Sequence, residues 1–250
     1  MALIHYHFFS NVLGKQVGAT VLLPDSPGPY ATYYLLHGLS DDHTIWHRRT
    51  RIEHYVSKLP LAVVMPDGFR GAYTNNDNGP DYADYMIEDV IGSAEKHFNL
   101  KKSRSARCIG GLSMGGYGAL RLGLGFPDLF CSVNSHSGAL LWGSGQVRMA
   151  GNRDPDEFLR IFGKKPIGTD HDLLALAKKC QKAGKLPKIR IDCGADDFLI
   201  EANRSYIAKL KAMRVPHEYE EFPGVHDWDY WDAHVQQALA FHAKNLKLKR

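Results

Sequence analysis

Residues 105–124, SARCIGGLSMGGYGALRLGL, join an apolar run to a helical pattern through a turn in which glycines crowd around a single serine. No other stretch constrains the fold as much. A short apolar run that ends in glycine and passes straight into a helix is the strand-to-helix connection of a mostly parallel sheet. Within it, Gly111-Leu112-Ser113-Met114-Gly115 is a G-x-S-x-G, the pattern of a sharp turn that lifts a serine above the sheet. Side chains two before and two after that serine would collide with neighbouring backbone, so both positions need glycine or something nearly as small. Gly111 and Gly115 meet that need, and Gly116 lets the helix begin close to the strand.

The rest of the chain repeats the same rhythm. Strands are expected at 3–9, 16–23, 32–38, 61–68, 105–111, 130–138, 188–197 and 217–224, those at 32–38 and 61–68 being short apolar runs ended by turn residues. Helical patterns fall at about 44–58, 83–97, 114–124, 199–213 and 228–247. Strands alternating with helices imply an α/β fold, a mostly parallel central sheet flanked by helices, with ligands at the carboxyl ends of the strands. Residues 139–187 break the rhythm and read as a short cap-like excursion after the sixth strand. With no repeat or linker in the sequence, 1–250 reads as a single domain.

Composition narrows the function classes. A net charge of +4 is modest, and its densest basic stretch, Lys244 to Arg250, fits the last turns of a helix. No basic face with interleaved aromatics suggests nucleic acid as a partner. The N-terminus lacks the pattern of a signal peptide, and no apolar run reaches membrane-spanning length. Cys108, Cys131, Cys180 and Cys193 are scattered without a CxxC pair, which together with the missing leader suggests a cytoplasmic protein.

A serine raised on such a turn becomes a nucleophile only with a base and an acid that orients the base. In this fold the chain order is serine, acid, histidine. CGADDFL (193–199) ends one expected strand with Asp196 and Asp197, either of which fits the acid. FPGVHDWDYW (222–231) ends the next with His226 in a turn, on the same rim as Ser113. Of the other downstream histidines, His217 begins a strand and belongs on the opposite rim, while His234 and His242 read as partly exposed helix residues. Oxyanion donors are expected from the N–H of Met114 and, across Gly38, from the N–H of Leu39. His37 would brace that loop through its ring nitrogens.

Tyr73, Asn75, Tyr82 and Tyr85 follow another strand end, where some of them are expected to border the substrate, the alternative being simple packing. Trp228 fits a pocket wall or the core, and Trp231 the core. Asp41, Asp42 and His43 suggest a helix N-cap cluster, and Arg48, Arg49 and Arg51 a solvated helix face. The acids and histidines between 226 and 234 lack metal-ligand geometry, so no metal is expected.

With these pieces placed, the sequence resembles the esterase D (putative esterase) family of α/β-hydrolases. The motifs that carry the resemblance are LLHGLSDDHTIW, VVMPDG, GGLSMGGYGAL, CGADDFL and GVHDWDYW, spanning 32–234. The family pattern counted from Gly194 favours Asp197 as the acid. The resemblance implies a serine carboxylesterase that hydrolyses short-chain acyl esters through Ser113, His226 and Asp197, with an acyl-enzyme intermediate and no cofactor. It leaves open an acyltransferase with an alcohol or sugar acceptor, or a thioesterase of the S-formylglutathione hydrolase type. A small-molecule ester is the implied partner, with Gly38, Tyr73 and Trp228 as substrate contacts, and a homodimer is compatible with the family.

Overall fold

The computed structural model describes residues 1–144 and 156–248. Its strands are β1 (Ala2–Ser10), β2 (Lys15–Leu23), β3 (Ala31–Leu36), β4 (Leu61–Pro66), β5 (Arg107–Leu112), β6 (Ser132–His136), β7 (Lys188–Gly194) and β8 (Glu218–Phe222). They form one sheet in the order β1-β2-β4-β3-β5-β6-β7-β8. β1 and β2 pair antiparallel, as do β2 and β4, and every later pairing is parallel.

Inner strands are buried on both faces, and their side chains alternate between two layers. Tyr33 and Leu35 of β3 face one layer with Val63, Trp231, Val235 and Leu239. Tyr34 and Leu36 face the other with Val64, Ile109, Tyr117 and Leu120. The helices Ile52–Val56 and Trp228–Asn245 cover the first layer; Met114–Gly125, Leu173–Lys182 and Ile200–Ala212 cover the second. The register Leu36↔Gly111 between β3 and β5 brings the ends of these two strands level. That alignment sets the Gly38 loop beside the glycine-flanked serine.

Three local outcomes differ from the sequence expectation. The helix expected over 44–58 breaks into Ile45–Arg49 and Ile52–Val56. Thr50 is extended there, its hydroxyl donating to the Trp46 carbonyl at 2.6 Å and accepting from the Ile52 N–H at 3.2 Å. Such local side-chain bonds compete with the helix ladder. The segment over 83–97 is helical but passes through a π-helical stretch, Tyr85–Val90, before Ile91–His97. Finally, His242 is fully buried. The C-terminal helix crosses under β6, where Ser132 bonds Nδ1 at 2.8 Å and Asn134 Oδ1 bonds Nε2 at 2.8 Å. These polar strand residues make the helix face beneath them polar too.

Of the excursion after β6, residues 145–155 lie outside the described residues. The remainder holds the helices Glu157–Phe162 and Leu173–Lys182.

Candidate active site

Ser113 sits between β5 and the helix Met114–Gly125 with φ 53° and ψ −115°, a conformation L-residues seldom adopt. Its N–H donates to the His136 carbonyl at 2.9 Å, and its own carbonyl accepts from Ala139 at 3.1 Å. A Cβ on Gly111 would stand 2.7 Å from the Leu36 carbonyl oxygen, and one on Gly115 would stand 2.6 Å from the His37 carbonyl oxygen. The flanking glycines are therefore required by backbone contact.

His226 lies in the loop between β8 and the helix Trp228–Asn245. Its Nε2 is 3.0 Å from Ser113 Oγ and its Nδ1 is 2.8 Å from Asp197 Oδ2. A carboxylate accepts only, so Nδ1 carries the proton and Nε2 is left to accept from the serine. Asp197 Oδ1 also accepts the Leu199 N–H at 2.8 Å. Burial pushes the Asp197 carboxyl up, but hydrogen bonding and charge from His226, with the Leu199 N–H, outweigh it and hold the carboxyl below its usual range. Asp196 is exposed on the same turn, and the imidazole bonds Asp197. Trp231 meets the His226 ring edge-on at 4.9 Å, and Phe198 covers it at 4.5 Å.

Gly38 and Leu39 come alongside. A Cβ on Gly38 would be 2.8 Å from Leu112 Cδ1 and 3.8 Å from Ser113 Cβ. His37 holds this turn from beneath: its Nε2 accepts the Gly68 N–H at 2.9 Å, so Nδ1 is the donor to the Gly38 carbonyl at 2.7 Å. Trp46 Nε1 ties the preceding strand end by donating to the Leu36 carbonyl at 3.0 Å. Met114 opens the helix, where N–H groups have no intrahelical partner.

Ser113 and His226 open into a cavity of about 530 Å³. Gly38, Leu39, Leu112, Leu199, Trp228 and Trp231 supply part of its wall.

The family described as Putative esterase matches residues 10–242. An acetyl esterase of Caldicellulosiruptor saccharolyticus is 32% identical over 263 aligned residues, which cover 98% of this chain and 99% of that one. The chain belongs to this esterase family. Fluorophosphonate-binding serine hydrolase F of Staphylococcus aureus, solved with substrate bound, is 33% identical with a TM-score of 0.88, covering 96% of this chain and 98% of that one. An S-formylglutathione hydrolase structure from the same organism is also 33% identical, with a TM-score of 0.86 and the same coverage. The esterase is a carboxylic ester hydrolase of the α/β-hydrolase fold.

Several expected contacts fall elsewhere in the esterase. Tyr73 is fully buried and outside the cavity, its hydroxyl accepting the His37 N–H at 3.1 Å and donating to the His37 carbonyl at 3.2 Å. Asn75 Oδ1 accepts the N–H groups of Ala83 and Asp84 at 3.0 Å each, satisfying a helix start. Tyr82 packs over Gly71, and Tyr85 donates to the Asp67 carbonyl at 3.0 Å. None of the four lines the cavity. All four follow a strand end on the right rim, but the Tyr73 ring turns inward beneath the Gly38 loop.

Other cavity residues were not singled out as such by the sequence. Asp41, expected in a capping cluster, lines the cavity, while Asp42 Oδ1 accepts from the Thr44 N–H at 2.8 Å. Trp142 and Phe198 also line it. Position at a strand's carboxyl end was the available signal for Asp41 and Phe198.

Behind Ser113, His136 Nδ1 donates to Asp192 Oδ1 at 2.9 Å, both side chains fully buried, and Tyr230 donates to the same oxygen at 3.1 Å. Among the described residues no cluster of His, Cys, Asp or Glu could hold a metal ion. No described helix is long and apolar enough to cross a membrane.

Proposed function

We propose that this esterase hydrolyses short-chain acyl esters, acetyl esters foremost, through Ser113, His226 and Asp197. Ser113 Oγ attacks the acyl carbon while His226 Nε2 takes its proton, then returns it to the departing alcohol. Asp197 holds the imidazole tautomer and balances the cation formed on it. The N–H groups of Leu39 and Met114 receive the oxyanion. Water, deprotonated by His226, then cleaves the acyl-enzyme and restores the serine. Nucleophile, base and oxyanion donors all come from the chain, so the cycle calls for no cofactor.

The observation that carries this reading is the hydrogen-bonded line from Ser113 Oγ through His226 to Asp197, opening on one cavity. The acetyl esterase relative supports a short acyl group. The decisive measurement is kcat/KM for p-nitrophenyl acetate against p-nitrophenyl octanoate, with Ser113→Ala as the blank. Preference for acetate, lost by several orders of magnitude in the variant, is the expected result. Wild-type rates surviving in Ser113→Ala overturn it. Likeness to the S-formylglutathione hydrolase favours a second reading, a thioesterase on the same triad, checked by thiol release from a glutathione thioester.

Free cysteines at all four positions support a cytoplasmic setting. A homodimer rests on the family resemblance and is checked by sedimentation. The modest charge supports small esters, not nucleic acid, as partners.

A further inference from the structure

Two acidic and four aromatic residues line the same cavity as Ser113. Asp41 enters from the loop that carries Leu39, and Asp227 follows His226 directly. Trp142, Phe198, Trp228 and Trp231 complete this part of the lining. Among the described residues no lysine or arginine lines the cavity.

Both acids are held in place. The Asp41 N–H donates to the Gly38 carbonyl at 3.3 Å, and its carboxyl is raised by burial against the lowering influence of His37 and the Gly38 backbone. Asp227 Oδ1 caps the C-terminal helix by accepting the Tyr230 N–H at 2.9 Å. Trp228 and Trp231 stand edge to face, 5.1 Å apart. Aromatic faces are negative at their centres and attract cations, most strongly where water is excluded. Carboxylates on the same walls add to that attraction and repel an anion.

We propose that the cavity selects esters by charge, taking those with a cationic leaving group ahead of neutral isosteres and disfavouring anionic ones. The inference rests on the triad reading above and names the class of substrate that triad serves. Asp41 and Asp227 are then specificity residues: they act on the leaving group and leave the proton transfers of His226 unchanged in kind. A glutathione thioester, whose leaving group carries more carboxylates than ammonium groups, becomes a poor substrate.

The test uses three thioacetates of similar size, followed by thiol release at low ionic strength. They are acetylthiocholine, its uncharged isostere 3,3-dimethylbutyl thioacetate, and S-acetyl-3-mercaptopropanoate. Wild-type kcat/KM should fall in that order. Asp41→Asn should compress the cation-to-anion ratio by about tenfold, the size expected when one nearby partly buried charge is removed. Asp227→Asn, in which asparagine preserves the helix cap, should compress it in the same direction. A loss common to all three substrates, from disturbance of the Gly38 loop, cancels in the ratio.

Equal rates for the cation and its isostere, with a ratio unmoved in both variants, overturn the proposal. So does a preference for an acetylated sugar that Asp41→Asn abolishes while the charge series stays flat, which would make the carboxylates hydroxyl acceptors. Failure of the triad reading looks different: no thioester turns over and a fluorophosphonate leaves Ser113 unlabelled. Choline binding, followed by tryptophan fluorescence in wild type and Asp41→Asn, still judges the charge preference in that case. Weaker binding in the variant supports it, and equal binding overturns it.

Discussion

Gly111 and Gly115 meet backbone to backbone at the elbow: a Cβ on Gly111 would stand 2.7 Å from the Gly115 carbonyl carbon. Neither side of that contact is a flexible side chain that could move aside. Gly111→Ala or Gly115→Ala should therefore cost about 2 kcal/mol or more of stability, as overpacking does. Urea melts with fluorophosphonate labelling of Ser113 check this, and both should fall together. Gly92 provides the contrast, since it lies in the helix Ile91–His97 with nothing within 4 Å of an added Cβ. Gly92→Ala should stabilise by about 0.5–1 kcal/mol, the ordinary helix preference for alanine over glycine. Destabilisation by Gly92→Ala equal to that at the elbow would make the contact argument wrong.

Asp197 fixes which nitrogen of His226 carries the proton. Asparagine there can present its amide to Nδ1 and favour the wrong tautomer, so Asp197→Asn should lower kcat on the order of 10³–10⁴-fold. Asp196→Asn, altering an exposed neighbour, should change kcat less than twofold by rough expectation for a surface site. The acid side of the pH–rate profile follows from His226, which cannot accept from Ser113 once protonated. Asp197 stays ionised to lower pH than an ordinary carboxyl, because His226 outweighs burial. Its contribution to stability is therefore present above the unfolded carboxyl range and is lost as pH falls through the depressed folded value. A kcat profile flat toward acid would contradict the assignment of His226 as base.

The fold and the three polar partners of the elbow were legible because each had a local signature. Apolar runs of strand length marked β3, β4 and β5, the order serine, acid, histidine pointed to Ser113, the Asp196–Asp197 pair and His226 after β5, β7 and β8, and the family pattern favoured Asp197. What was not legible depends on which way a side chain turns after the strand ends. Tyr73 and Asp41 both follow strand ends on one rim, yet Tyr73 turns inward beneath the loop and Asp41 into the cavity. His242 was misread because a lone histidine in an amphipathic helix looks solvent-facing. Its partners Ser132 and Asn134 lie more than a hundred positions away. The break at Thr50 depends on a hydroxyl choosing the Trp46 carbonyl, a competition that helix periodicity does not report.

Tyr73 separates a bracing role from a substrate contact. Its hydroxyl serves both the N–H and the carbonyl of His37, the residue directly before Gly38. Tyr73→Phe leaves those buried groups without their partner at a cost of about 1–3 kcal/mol. Looser placement of Gly38 and Leu39 should appear in kcat, where oxyanion stabilisation is felt, and not in KM. Steady-state kinetics with two esters of different acyl length check the split. A KM that changes with acyl length while kcat holds would put Tyr73 against the substrate after all.

His242 makes acid stability a property of the sheet. Burial, then the charges of His136 and Arg190, push its pKa from 6.5 down to about 3, so it stays neutral in the folded protein. In the unfolded chain it binds a proton at its ordinary value. Between those two values the unfolded state holds more protons, and stability must fall as pH drops from about 6.5 toward 3. His242→Gln removes that proton uptake and keeps a group able to meet Ser132 and Asn134. The variant should be less stable near neutrality by about 1–3 kcal/mol, because its fit to those partners is poorer. Its deficit should then shrink steadily as the solution is acidified. Urea midpoints for both proteins across that range check the slope. Parallel curves would mean that His242 takes up its proton without unfolding, and that the Ser132–His242–Asn134 line tolerates a charge.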